Sequence, residues 1–345
     1  MNGQGDTDAA TLRDIVEIAR SHPGLTGKAG LKLVSEVLGA SDWVQGPGDD
    51  TAAVRRAPSS RETFVLAAGE AIYPPLLRAD PCSAGMAAVI ANVNDVAAMG
   101  GRPLGIVDTI VASEPTARLI LEGMNTAARM YHVPILGGHL TILDDADPSL
   151  SAFIVGQAQH LLSATSVAHG QTLLLACCLD GTMRADFPFF SSSQERGDRL
   201  AHDIETLAVL ADTGRCLAAK DVSMAGLLGS LAMLLEPTGC GATVVLDQVP
   251  RPAGVPLNRW VQAFPQFSFL LCAPPAAVPA CHRAFAGRGL TCEEIGGIDG
   301  SGGLKLQLGT RRHMLLDLSA DPVTGLRREP ARTAPGSQPA GPGHG

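Results

Sequence analysis

Charged and aromatic residues are scarce in this sequence of 345 residues, at 17% and 4%. Aspartate and glutamate outnumber lysine and arginine by 34 to 26, and no basic stripe is interleaved with aromatic side chains. Nucleic-acid binders need such a positively charged surface to neutralise phosphates. The composition therefore argues against a nucleic-acid partner, and an acidic protein that handles phosphates needs a cation to screen them.

Long apolar runs and cysteine pairs are also missing. No apolar run reaches the ~18 residues that a membrane span requires. Residues 1–10 lack the basic and apolar segments of a secretory signal. The eight cysteines form no CxxC pair, and most lie in apolar runs such as residues 173–178, which predicts buried free thiols. We expect a cytoplasmic protein without a membrane partner.

The length predicts two domains, because domains commonly hold ~150 residues. Strand-like and helix-like segments alternate in both halves, which is typical of an α+β or α/β fold. We expect a loose N-terminus at residues 1–9, domains at 10–162 and 163–325, and a disordered tail at 326–345 that is rich in proline, glycine and arginine. Residues 181–199 are predicted to be irregular, as a lid or an exposed loop.

The candidate site is centred on a helix predicted for Asp80–Met99. Alanine and valine give this helix an apolar surface nearly all round, which predicts burial. Asn94 and Asp95 lie on its last turns, before two glycines end it. Because a buried unpaired carboxylate is costly, Asp95 must be paired, protonated or metal-bound.

Three further motifs are predicted to converge on Asp95: GDD at 48–50, GGH at 137–139 and KDVS at 220–223. Carboxylates alone would repel a triphosphate, by about 4 kcal/mol for a pair of charges ~4 Å apart at an effective dielectric near 20. Mg²⁺, which prefers such hard oxygen ligands, reverses the sign of this interaction. The glycine-rich stretch at 22–30 holds Lys28, and it is either a plain linker or a mobile loop whose lysine reaches a phosphate.

Together these motifs resemble the AIR synthase-related (PurM-like) superfamily. The matching segments are GDDTAAV at 48–54, NDVAAMGGRP at 94–103, GGHLTI at 137–142, KDVSMAGLLGSL at 220–231 and FPQFSFLLCAPP at 264–275. The resemblance covers residues 10–320 and implies a two-domain α+β fold, in which the N-terminal domain dimerises through its sheet and the C-terminal domain packs against it. It also implies that ATP and Mg²⁺ bind in a cleft and act on a small-molecule substrate.

Carried over by position, the resemblance makes Asp49 and Asp50 metal ligands. It makes Asp95 and Asp221 both metal ligands and catalytic residues. Glu70 would replace a further metal-binding aspartate through a shift of register. The predicted nucleotide contacts are Lys28, Asn94, Gly137, Gly138, His139 and Ser223.

Four departures from thiamine-monophosphate kinases indicate a divergent branch. Residues 67–70 read AAGE instead of Thr-Thr-Asp, and residues 165–172 lack the Arg and Asp of the RSGAKPGD segment. Met224 replaces the second aspartate of DVSDG. His139 replaces an aspartate of GGDT, as it does in selenophosphate synthetases, and is either a metal or phosphate contact, a structural histidine or a general base.

The resulting expectation is an ATP- and Mg²⁺-dependent phosphotransferase or synthetase. The motifs fit thiamine-monophosphate kinase best, which suggests a kinase of thiamine biosynthesis. The alternatives are ring closure of the kind catalysed by aminoimidazole ribonucleotide synthetase, an uncharacterised related reaction, or a nucleotide-binding scaffold without turnover. A homodimer is implied by the resemblance.

Overall fold

The computed structural model describes residues 2–38, 48–55 and 63–326. The α-helices are α1 (Asn2–Ser21), α2 (Pro23–Thr26), α3 (Lys32–Leu38), α4 (Pro74–Ala79), α5 (Pro81–Ala98), α6 (Glu114–Met130), α7 (Ser193–Arg196), α8 (Arg199–Asp212), α9 (Gly226–Leu235), α10 (Leu257–Trp260) and α11 (Val278–Ala286). The strands are β1 (Ala52–Arg55), β2 (Phe64–Ala71), β3 (Arg102–Ala112), β4 (Ile135–Ile142), β5 (Ser149–Ala158), β6 (Thr172–Cys177), β7 (Thr182–Met183), β8 (Phe189–Ser191), β9 (Ala218–Asp221), β10 (Gly241–Val245), β11 (Phe264–Pro265), β12 (Ser268–Ala273), β13 (Thr291–Asp299), β14 (Gly303–Leu308) and β15 (Arg311–Asp317).

The first sheet has the strand order β1-β2-β5-β3-β4, with α5 packed on one face. Alternation along its strands sets which residues face the helix, because successive side chains point to opposite faces. On β2, Leu66 is fully buried, whereas its neighbour Val65 is 39% exposed. The opposite face therefore presents apolar side chains that no described element covers: Val65, Val107, Phe153 and Val155.

The second sheet has the order β15-β14-β10-β13-β6-β12-β9 and is covered on both faces. Leu173 and Leu175 on β6 belong to the core formed with α1 and α9. Leu174, between them, belongs to the core that α5, α8 and α11 share with the first sheet. A strand buried on both faces reads as a continuous apolar run, which explains the sequence of β6.

Helix α1 packs on this second sheet rather than on the first. Its contacts include β14 and β15, and Arg20 Nε donates to the Leu315 carbonyl at 2.8 Å. The first residues of the predicted N-terminal domain thus lie beside the C-terminal sheet. The expectation of a loose segment at 1–9 is wrong for residues 2–9, which are helical, because a polar composition does not distinguish a helix from an irregular chain.

Two other local expectations are corrected. The stretch 22–30 forms α2 and a 3-10 turn instead of an open loop. Residues 181–199 contain β7 and β8, which form a small sheet with β11, and then α7. Residues 327–345 of the expected tail lie outside the described residues.

Helices α5 and α6 are in backbone contact, which explains the small residues on α5. A Cβ atom at Gly123 would lie 1.9 Å from the Cys82 carbonyl oxygen, and one at Gly85 would lie 2.1 Å from the Ile120 carbonyl oxygen. Such distances leave no room for even a methyl group. The helix that carries Asp95 is thereby held in a fixed position against its neighbour.

We predict that Gly123→Ala lowers the free energy of unfolding by about 1–3 kcal/mol, because the added methyl group forces the two helices apart. Urea unfolding measures the change. Gly27→Ala is the matched control, since a Cβ there meets nothing within 4 Å. Equal effects of the two substitutions would contradict the close packing of α5 against α6.

Candidate functional site

A cavity of about 650 Å³ lies between the two sheets. The first domain contributes the C-terminal end of β2 and the last turns of α5. The second domain contributes the end of β9 and the region of β8 and β11. Its charged lining residues are Lys28, Asp49, Asp50, Glu70, Asp95, Lys220 and Asp221. The cavity thus combines the motif at 48–50, the end of α5 and the motif at 220–223.

Three carboxylates meet at the centre of this lining. One oxygen each of Asp50, Asp95 and Asp221 lie within 4.8 Å of one another. Asp50 precedes β1, Asp95 lies on the last turn of α5, and Asp221 ends β9. Residues far apart in the chain, from both domains, are therefore held in one cluster.

Lys220, which was not among the predicted site residues, lies within the same cluster. Its ammonium group pairs with Asp50 and lies 4.0 Å from Asp221 Oδ1, and its exposed fraction is only 7%. The Asp221 amide also donates to Asp50 Oδ2 at 3.3 Å. A lysine in a buried strand was the available signal, because lysine is almost never fully buried unless it is paired.

Burial and the repulsion between neighbouring carboxylates raise the proton affinity of Asp95 and Asp221. Burial, followed by the charges of Asp221 and Glu70, raises the pKa of Asp95 well above its usual range. Burial and the charge of Asp50 raise the pKa of Asp221 to about 7. Burial opposes the charge on Lys220, but Asp50 and Asp221 outweigh it and raise the pKa of that ammonium group. The cluster therefore contains more negative charge than its own lysine neutralises.

The donor set fits a magnesium ion. If every group is ionised, the five carboxylates that line the cavity (Asp49, Asp50, Glu70, Asp95 and Asp221) face two ammonium groups (Lys28 and Lys220), so a charge of about −3 remains, most of which one divalent cation would offset. The Asn94 side chain adds a buried oxygen: its Nδ2 donates to the Gln266 carbonyl at 3.0 Å, while Oδ1 has no hydrogen-bond partner among the described residues. Carboxylate and amide oxygens are hard ligands that suit Mg²⁺.

Asp49 is oriented differently from Asp50. Its Oδ2 accepts a hydrogen bond from Ser163 Oγ at 2.7 Å, and its Oδ1 accepts one from the Ala164 amide at 2.6 Å. Burial is the main cause that raises the pKa of Asp49 to about 6. The carboxylate thus ties the GDD segment to the start of the second domain. Its predicted role as a metal ligand stays a prediction and would require an oxygen shared with these donors.

Lys28 and Ser223 line the cavity as well. The charge of Lys28 acts on the carboxyl groups of Glu70 and Asp221, so the lysine lies near the cluster. Met224, which replaces an aspartate of the family motif, is 39% exposed and lies in the same wall. The predicted contacts of Lys28 and Ser223 with a nucleotide remain predictions.

The GGH motif does not join the other motifs within one chain, which corrects the expectation that all of them converge. Gly137, Gly138 and His139 lie inside β4, are exposed, and are not among the residues that line the cavity. The strand order puts β5 and β3 between β4 and β2, which carries Glu70. A structural reason explains Gly138, because a Cβ atom there would lie 2.5 Å from Asp108 Oδ1.

This geometry defines a class of protein: a two-domain α+β chain with a carboxylate-lined cavity between its domains. The family model "AIR synthase related protein, N-terminal domain" matches residues 48–158, and the corresponding C-terminal model matches residues 161–309. The chain belongs to the AIR synthase related protein family, as the motifs predicted.

Relatives and solved structures agree with this assignment. An uncharacterised protein of Synechocystis is 33% identical over 91% of this chain and 98% of its own length. The phosphoribosylformylglycinamidine synthase subunit PurL of Bradyrhizobium is 26% identical over 75% of this chain, but only 37% of that protein is covered.

Among solved structures, Thermotoga maritima PurL complexed with ATP has a TM-score of 0.66 at 18% identity. The match covers 89% of this chain but only 54% of the PurL chain. AaThiL complexed with AMPPCP and TMP has a TM-score of 0.63 at 17% identity, with 81% of this chain and 92% of that chain covered. Identities this low establish the shared fold. Within the described residues, no helix is long and apolar enough to span a membrane.

We predict that Mg²⁺ raises the melting temperature more at pH 8 than at pH 6. A carboxyl group whose pKa is raised in the folded state stabilises the fold at low pH, and that contribution is lost as the pH rises through the folded value, about 7 for Asp221. The ionised cluster at pH 8 binds the cation without having to release protons first. Differential scanning fluorimetry measures both shifts.

The comparison needs Asp95→Asn as its control, because removing one of the three clustered carboxylates should reduce the Mg²⁺-induced shift at both pH values. A shift that is equal at the two pH values, or larger at pH 6, would show that the cation does not bind at these raised-pKa groups.

Proposed function

We propose that this protein binds ATP with Mg²⁺ in the cavity between its domains. It transfers a phosphoryl group from ATP to a small molecule, or uses that phosphoryl group to activate the small molecule. The observation that carries this proposal is the meeting of Asp50, Asp95 and Asp221 beside Lys220. Support comes from the shared fold of T. maritima PurL complexed with ATP and AaThiL complexed with AMPPCP and TMP.

Asp50, Asp95 and Asp221 would hold the magnesium ion, and Glu70 lines the same cavity. When bound, Mg²⁺ would neutralise charge that develops on the phosphates during transfer. Lys220 keeps Asp50 in place and supplies a fixed positive charge in the same cluster. Lys28 and Ser223, which line the cavity, would contact phosphate oxygens. Catalysis is thus electrostatic and positional, and it needs no covalent enzyme nucleophile.

Kinase-type transfer is the first candidate reaction. The described chain matches AaThiL over 92% of that chain, whereas it spans about half of the PurL structures. Thiamine monophosphate is accordingly the first acceptor to test. Synthetase-type activation is the second candidate, because PurL of Bradyrhizobium is a relative at 26% identity. The scaffold alternative predicts ATP binding without turnover on any acceptor.

We predict that ATP binding measured by isothermal titration requires Mg²⁺ and weakens at least about tenfold in Asp95→Asn, which corresponds to about 1.4 kcal/mol. The loss of one carboxylate at the centre of the cluster removes a ligand for the cation. Asp14→Asn, an exposed aspartate on α1, is the control and should bind like wild type. ATP binding that ignores Mg²⁺ or Asp95 would refute this placement of the nucleotide.

The exposed apolar face of the first sheet supports the proposed homodimer. Val107, Phe153 and Val155 are 41–44% exposed on neighbouring strands, and GGH on β4 lies at the same sheet. Apolar side chains grouped on a sheet face are typical of an interface between subunits. In such a homodimer, His139 and the glycines of β4 would approach the cavity of the partner subunit rather than the cavity of their own chain.

We predict a dimeric mass by multi-angle light scattering and a monomeric mass for Phe153→Glu, since the buried charge would oppose apolar association. Leu119→Glu, on the exposed side of α6, is the control and should leave the mass unchanged. A monomeric wild type, or a dimer that survives Phe153→Glu, would exclude association through this face.

A further inference from the structure

Four aromatic side chains line one end of the cavity. They are Tyr73, Phe187, Phe189 and Phe264, here called the aromatic wall. The whole chain has only nine phenylalanines, two tryptophans and two tyrosines, so this one surface holds nearly a third of them. The ring centroids of Phe187 and Phe264 are 5.5 Å apart, those of Phe189 and Phe264 are 5.0 Å apart, and those of Tyr73 and Phe187 are 6.1 Å apart.

Packing against the hydrophobic cores accounts for only one member of this wall, Phe189, which packs against the core shared with the first sheet. Tyr73, Phe187 and Phe264 belong to neither hydrophobic core of the described residues. Tyr73 is 44% exposed, and the rings of Phe187 and Phe264 are half-buried. Covering aromatic surface that faces a cavity is favourable, so a ligand that buries these rings would gain binding free energy.

An ion-pair network holds the wall in position. Arg184, between β7 and β8, donates to Asp80 Oδ2 at 3.1 Å and to Ser83 Oγ at 2.9 Å at the start of α5. Its carbonyl accepts a hydrogen bond from Arg259 at 2.6 Å. The second-domain segment that carries Phe187 and Phe189 is thereby fastened to the first domain, so the rings are already in place before a ligand binds.

The aromatic wall and the carboxylate cluster line the same cavity, and two short stretches of chain connect them. Tyr73 follows Glu70 by three residues, and Phe264 precedes Gln266 by two, while the Gln266 carbonyl accepts the hydrogen bond from Asn94. An extended chain covers at most ~3.3–3.6 Å per residue, so the Cα atom of Tyr73 lies within roughly 11 Å of that of Glu70, and the Cα atom of Phe264 within roughly 7 Å of that of Gln266.

We propose that the aromatic wall binds a planar aromatic or heteroaromatic ring whose molecule carries its phosphate, or the group that accepts one, at the carboxylate cluster. This inference rests on the proposed function and adds the chemical class of the ligand. Ring faces and edges attract a flat π-system in offset or edge-to-face geometry, which an aliphatic group of similar size cannot reproduce. The ring belongs either to the nucleobase of ATP or to the acceptor.

The test is isothermal titration of four probes, with Mg²⁺ present, against wild type, Phe187→Leu and Phe187→Tyr. Two probes carry a ring, ATP and benzyl phosphate. Two lack an aromatic ring, tripolyphosphate and cyclohexylmethyl phosphate. We expect Phe187→Leu to weaken at least one ring-bearing probe about tenfold, within the range measured for stacking of a base on an aromatic side chain. Phe187→Tyr keeps the ring and should stay close to wild type, and the two probes without an aromatic ring should not change.

The two sources of the ring give different results. A loss confined to ATP assigns the wall to the nucleobase, and a loss confined to benzyl phosphate assigns it to the acceptor. The proposal is overturned if wild type and Phe187→Leu bind both ring-bearing probes equally, if wild type binds neither, or if tripolyphosphate weakens to the same degree.

Failure of the proposed function is distinguishable from failure of this inference. Benzyl phosphate binding that depends on Phe187 but not on Mg²⁺ or Asp95 would keep the aromatic wall and reject the metal–phosphate site. Tripolyphosphate binding that depends on Mg²⁺ and Asp95, with no effect of Phe187→Leu on any probe, would keep the site and reject the wall.

Discussion

Charge balance within the cluster of Asp50, Asp95, Asp221 and Lys220 is the constraint on which the rest of this molecule depends. Three buried carboxylates so close together would repel one another strongly at low dielectric, and one ammonium group compensates only part of that repulsion. The fold tolerates the remainder because the groups either retain protons or share a cation. This requirement explains why polar side chains are found at the end of an otherwise apolar helix.

The contacts around the cluster hold its residues, which come from both domains, in fixed positions relative to one another. Backbone contact between α5 and α6 at Gly85 and Gly123 positions the helix that ends at Asp95. Asp49 ties the GDD segment to Ser163 and Ala164 at the start of the second domain. Arg184 fastens β7 and β8 to the start of α5. A site assembled across a domain boundary needs such connections, because small displacements would separate its ligands.

The structure divides the family motifs into two groups. GDD, ND and KDVS meet within one chain, whereas GGH lies on the exposed edge strand β4. For Gly138, the neighbouring Asp108 side chain already explains the absence of a side chain. The departures at His139 and Met224 therefore act at different places: Met224 alters the wall of this chain's own cavity, and His139 alters a surface of the first sheet.

Local sequence determined the elements whose patterns are strong. The buried helix ending in Asn94 and Asp95, the apolar strand β6 and the motif set that identifies the family could all be read from residue order. Only the tertiary structure decided what depends on distant partners: the salt bridge of Lys220 to Asp50, the capture of Asp49 by Ser163, and the packing of α1 on the second sheet. The aromatic wall belongs to this second group, because Tyr73 and Phe264 are almost two hundred residues apart. Periodicity and spacing report the surroundings of a segment along the chain, whereas ion pairs and ring contacts form between segments that meet only after folding.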